Sequence, residues 1–127
     1  MKLGTLLFVV LLGLPAVNFG QEVTAVEMNE AATKIRKQHG LSAQQLDQDL
    51  VKLADRWAER LAKTGRLSHG GGEQIIAMGY RSTDSVFKAW MRSSGHRSWI
   101  LSRTTKCGWA CKTSKSGRLF WVGAFRK

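Results

Sequence analysis

The chain has 127 residues, with 20 Lys+Arg against 9 Asp+Glu and a formal net charge of +11. That length supports one domain, and 43% apolar residues with a single Pro exclude a disordered tail protein. Two Cys exclude a multi-disulfide scaffold and any four-Cys zinc module.

The charge is unevenly placed. Residues 21–80 balance 8 Lys+Arg with 8 Asp+Glu, whereas residues 81–127 carry 11 Lys+Arg and only Asp84. Met1-Lys2 opens the chain with one positive charge, and an apolar run from Leu3 to Val17 follows, broken at Pro15. Small and polar residues then lead to Gly20. This is the layout of a secretory signal peptide, and the run is short for a membrane span. Residues 1–20 are therefore expected to be an export signal, with Gly20 or Ala16 at the cleavage site, and residues 21–127 the mature domain. Export puts Cys107 and Cys111 in an oxidising setting. On an extended strand their spacing holds them about 13 Å apart, too far to bridge without a turn or bulge at Gly108. Two reduced or partly buried thiols are expected.

Val23 to Gln38 reads as a helix with a ragged stripe of Val26, Ala31 and Ile35, ended by His39-Gly40. Leu46, Leu50, Leu53, Ala54, Trp57, Ala58 and Leu61 recur at helical spacing, the strongest periodic signal in the chain. Asp47 and Asp49 at its start and Lys63 at its end suit the helix dipole, and Gly65 stops it. A loop runs from Arg66 to Gly72, and Glu73 to Met78 reads as a short strand. Ser82-Thr83-Asp84 offers an N-cap for a third helix with core residues Val86, Ala89 and Trp90. Ser94-Gly95 interrupts, and His96 to Leu101 forms a short helical turn. Lys106–Thr113 and Arg118–Phe125 flank Ser114-Lys115-Ser116-Gly117 as a hairpin. The expected fold is α+β, a small antiparallel sheet covered by helices.

His69, Glu73 and His96 each lie where an element ends, the usual place for a site on a scaffold. Two imidazoles and a carboxylate suit a divalent cation with open positions for water, or acid–base work near neutral pH. A structural hydrogen-bond network accounts for the same three residues equally well. His39 reads as a helix-end residue. The five Trp read as core, with Trp99 beside Arg97 and Arg103 the one passable platform for nucleic acid.

Leu67-Ser68-His69, Gly72-Glu73-Gln74-Ile75 and Trp90-Met91-Arg92-Ser93-Ser94-Gly95-His96-Arg97 together resemble the CAP (SCP) superfamily of cysteine-rich secretory, antigen 5 and pathogenesis-related proteins, in a short bacterial form. Asn29 to Arg36 and Gly40-Leu41 resemble the family's opening helix. Ala54, Trp57 and Ala58 resemble its second, and Gly108 with Phe120-Trp121 its closing hairpin. The resemblance implies an α-β-α sandwich, an extracellular or envelope location, and a cleft of two His and one or two Glu that holds zinc or another divalent cation in some members. Carried over by motif, His69 and His96 are the cleft imidazoles and metal ligands, and Glu73 is the cleft carboxylate. Ser93 stands where fuller members have a second Glu. Gln74 replaces the motif's Asn, and only Gly70-Gly71 separates His69 from the motif, so the cleft is expected to be open.

These features lead to a secreted or periplasmic CAP-like domain that binds without catalysis. Its ligand residues are His69, Glu73, Ser93 and His96, and the ligand is a divalent cation such as zinc or a small, including apolar, molecule. Its alternatives are a metal-dependent hydrolase of peptide or envelope polymer, with Glu73 activating water or Ser93 or Ser94 as nucleophile, and an electrostatic binder of anionic envelope lipid or polysaccharide through residues 92–127. Nucleic acid is the less favoured anionic partner. A monomer without a transmembrane span in its mature part is expected.

Overall fold

A computed structural model describes residues 23–127; the expected signal segment lies outside the described residues. Helix α1 spans Ala25–Gln38, strand β1 Gln45–Leu46, helix α2 Gln48–Thr64 and strand β2 Gln74–Met78. Helices α3 (Thr83–Met91) and α4 (Ser94–Ile100) follow, and strands β3 (Lys106–Thr113) and β4 (Leu119–Arg126) close the chain.

Each long helix is capped by local chemistry. Thr24 accepts from the Glu27 N–H at the start of α1, and Asp47 accepts from the Leu50 N–H at the start of α2. Leu46 therefore falls outside the helix that its spacing predicted, because Asp47 caps between them. Gly65, at φ +69°, ends α2 in the left-handed region that glycine adopts without strain. Ser82 and Ser85 form a reciprocal capping box on α3. Ser94 and Gly95 begin α4 rather than interrupting, with Ser93 as its N-cap residue.

The sheet order is β1-β3-β4-β2. Strands β2, β4 and β3 are antiparallel, and the hairpin turns through Ser114–Gly117 as its sequence predicts. The two-residue β1 adds a parallel edge on β3, which the expected antiparallel sheet did not include. It is too short to carry a periodic signal. Gln44 holds it by donating to the Thr104 carbonyl (3.0 Å) and hydroxyl (2.7 Å).

Side chains alternate across a strand, so a sheet covered on both faces buries both sets. On one face Leu50, Ala54, Ala58 and Leu61 of α2 pack on Ile76, Ala110, Phe120, Val122 and Ala124. On the other, Met28 and Ala32 of α1, Val86, Phe87 and Trp90 of α3 and Ile100 of α4 enclose Ile75, Cys107, Trp109, Cys111, Trp121 and Phe125. The architecture is an α-β-α sandwich. Among the described residues both cores are assembled from residues 23–125.

The α1 stripe differs from its predicted one. Met28, Ala32 and Arg36 are buried, while Val26 is exposed and Ala31 and Ile35 are half-buried. The stripe is hard to see because its third member is charged. Arg36 donates to the carbonyls of Ser42 (2.8 Å), Ile100 (2.8 Å) and Ser102 (2.7 Å), tying α1 to the segment after α4. Desolvation lowers its pKa, and the three carbonyls supply the polar contacts a buried guanidinium needs.

Of the five Trp expected in the core, Trp90, Trp109 and Trp121 are buried, and Trp57 and Trp99 are half-buried. Trp99 stacks on Phe125 with centroids 5.7 Å apart, so it packs rather than standing free as a base platform. Cys107 and Cys111 are buried on one face of an unbroken β3. Burial pushes the Cys107 thiol up to about 11, and its Sγ–H donates to Asn29 Oδ1 at 3.1 Å. The buried Trp109 indole N–H slightly favours the thiolate but makes no hydrogen bond of ordinary geometry.

Candidate functional site

The site lies beside β2, the edge strand, where the α2 side of the sheet meets the α4 side. The loop before β2 is fastened at three points. The Trp57 indole N–H donates to the Ser68 carbonyl (2.9 Å) and the Gly70 N–H to Gln74 Oε1 (3.0 Å). The Phe125 N–H donates to the Glu73 carbonyl (3.0 Å), extending the β2–β4 ladder by one residue. Gly70 passes over Trp57 so closely that a Cβ there would sit 2.9 Å from the ring carbon Cδ2. Only glycine fits that approach. Gln74 thus takes over the loop-holding task with its longer side chain. His69 is exposed between the first two fastenings, and the Glu73 side chain is exposed at the third.

The second imidazole comes from α4. The Ser93 hydroxyl makes no capping bond to its helix, although Ser is a strong N-cap residue. It lies 2.7 Å from His96 Nδ1 instead. This fixes the half-buried His96 ring and leaves Nε2 for another partner. Burial lowers the His96 pKa first, and the charge of His69 lowers it further. His96 is thereby biased to its neutral form. His39, by contrast, caps α1 through Nδ1 on the Ile35 carbonyl (2.9 Å), the helix-end role its sequence position predicts.

Among the described residues no group of three or more His, Cys, Asp and Glu side chains is arranged to hold a metal ion. The imidazole pair alone offers His96 Nε2 and one His69 nitrogen. Two nitrogens are one ligand fewer than the three protein ligands of a typical catalytic zinc. Glu73 contributes its backbone carbonyl to the ladder, and its side chain is exposed.

An α-β-α sandwich with a paired-histidine edge is the class that fold and site define. The family model for the cysteine-rich secretory protein (CAP) family matches residues 30–125, and the chain belongs to that family. An outer surface protein from Borrelia burgdorferi shares the fold with a TM-score of 0.72 at 20% identity, over 86% of this chain and 100% of that one. An extracellular protein containing a SCP domain from Bacillus anthracis gives 0.61 at 16% identity, over 81% of this chain and 40% of the other. A cysteine-rich secretory protein from Staphylococcus aureus gives 0.58 at 18% identity, over 81% and 38%. This chain thus spans about two fifths of each of the last two. No curated protein matches the sequence.

Proposed function

We propose that this protein is an exported CAP domain that works outside the cell or in its envelope as a binding protein, with His69, Ser93 and His96 as the ligand-contacting group and Glu73 at the rim. The 2.7 Å contact by which Ser93 holds the His96 ring, with the charge of His69 acting on that ring, carries this reading. A neutral His96 with a free Nε2 can ligate a divalent cation or hydrogen-bond a small ligand. Export rests on the N-terminal segment pattern and accords with an extracellular and an outer surface protein among the fold's relatives.

Calorimetric titration of residues 21–127 with zinc tests it. We expect saturable 1:1 binding that His69→Ala plus His96→Ala abolishes and Glu73→Gln only weakens. Identical heats from wild type and the double variant would end the metal form of this reading. The 2.7 Å contact between Ser93 and His96 favours a second reading, a hydroxyl nucleophile beside its base. A fluorophosphonate adduct at Ser93, seen by intact mass and absent from His96→Ala, would establish it over simple binding.

A further inference from the structure

One pole of the domain carries a different chemistry from the cleft. Helix α2 runs alongside β3, with Asp55 paired to Lys112 at 3.0 Å, so its last turn reaches the hairpin end. There Lys63, Lys115 and Arg118 line one groove. Arg66, Leu67 and Met78 line an adjoining depression, and Arg81 shares a third with Arg118. The Gly79 N–H bonds the Leu119 carbonyl at 2.9 Å, which fixes the end of β2 beside the hairpin.

All five of those cations are exposed. The acids nearby are Glu59, which lines the first groove, and Asp55, which Lys112 already engages. Among the described residues, the large apolar side chains left exposed are Val26, Leu67, Met78 and Tyr80. Three of these four, Leu67 (42%), Met78 (36%) and Tyr80 (38%), lie at this pole. Single exposed apolar residues are ordinary, but Leu67 and Met78 line one depression with Arg66, and Tyr80 adjoins Arg81 in the chain; exposed apolar side chains grouped among cations are the mark of an interaction site. The cations repel a second copy of the same surface. A soluble polyanion would use the cations and leave the apolar residues idle.

We propose that this pole docks on an anionic phospholipid bilayer, with Lys63, Arg66, Arg81, Lys115 and Arg118 on the headgroups and Leu67, Met78 and Tyr80 entering the interface beneath them. Basic residues near an anionic surface and apolar side chains at the headgroup boundary add their contributions. The surface combines the end of α2 with the hairpin, so two of its five cations, Lys63 and Arg66, come from the part of the chain that is neutral on average.

Flotation of residues 21–127 with vesicles tests the assignment. The protein should float with vesicles containing about one-third phosphatidylglycerol and not with phosphatidylcholine alone, and raised salt should weaken the binding. Arg66→Ala with Arg118→Ala should lower partitioning about 30-fold. Leu67→Ser with Met78→Ser should lower it about tenfold while leaving retention on soluble dextran sulfate unchanged. His69→Ala with His96→Ala should change nothing. Equal flotation with neutral vesicles overturns the proposal. So does wild-type flotation of the apolar double variant, which would make the pole a polyanion site, and so does loss of flotation in the histidine double variant.

Discussion

The two faces of the sheet solve the same burial problem in opposite ways. The α2 face sets four alanines, Ala54, Ala58, Ala110 and Ala124, among its larger aliphatic residues and Phe120. There the helix backbone presses onto the strand, and Gly108 sits directly under Leu50 and Val51. The opposite face is filled by large rings. Trp109 touches Phe87, Trp90 and Phe125 at centroid distances of 5.1, 6.0 and 5.4 Å. A close face fixes position, and a ring-filled face supplies apolar area. The site uses both. His69 rides on a loop fastened to α2 through Trp57, and His96 rises from α4 on the aromatic side.

Opposite substitutions should therefore break the two faces. The largest expected effect is Trp109→Ala, which empties the centre of the aromatic face and should cost about 4 kcal/mol in urea denaturation. Gly123 leaves that ring its room, because a Cβ there would lie 2.5 Å from Trp109 Cζ3. Next comes Gly108→Ala. Adding one methyl group places it inside the α2 backbone and should cost about 3 kcal/mol, since a backbone cannot turn aside as a side chain can. If Gly108→Ala proved as stable as wild type, α2 would not be seated on β3 as described, and the contrast between the faces would fail.

Much of this was readable from the sequence, for identifiable reasons. Helix α2 announces itself because its buried residues are apolar and its polar residues face water. The hairpin does so because its turn is polar and glycine-ended between aromatic runs. Helix α1 was misread where burial and polarity part company, at Arg36, two of whose three carbonyl partners lie 64 and 66 residues away in sequence. Strand β1 was missed because two residues have no period. The candidate site residues come from motif, but the diversion of Ser93 from its cap to His96 needs the fold to be seen. The electrostatic reading through residues 92–127 includes Lys115 and Arg118 but not Lys63, which lines the same groove. Averaging charge over sequence halves hides the fact that α2 turns Lys63 toward the hairpin while other residues balance it elsewhere.

The smallest expected effect probes the place where the two faces meet. His96 is held below the ordinary histidine value of 6.5 by burial and then by His69. A base with a depressed folded pKa binds fewer protons folded than unfolded. Its contribution to stability is complete above pH 6.5 and declines as pH falls through that value toward the folded pKa. Removing His69 takes away the second cause and leaves the first. In an NMR titration of the ring signals, His69→Gln should therefore move the His96 midpoint upward, though not fully to the ordinary value. The acid-side loss of thermal stability should shrink with it. The substitution is on an exposed loop residue, so neither packed face is disturbed. A His96 midpoint that stayed put in His69→Gln would separate the two imidazoles. The loop tied to α2 and the helix on the aromatic side would then be neighbours of β2 without forming one site.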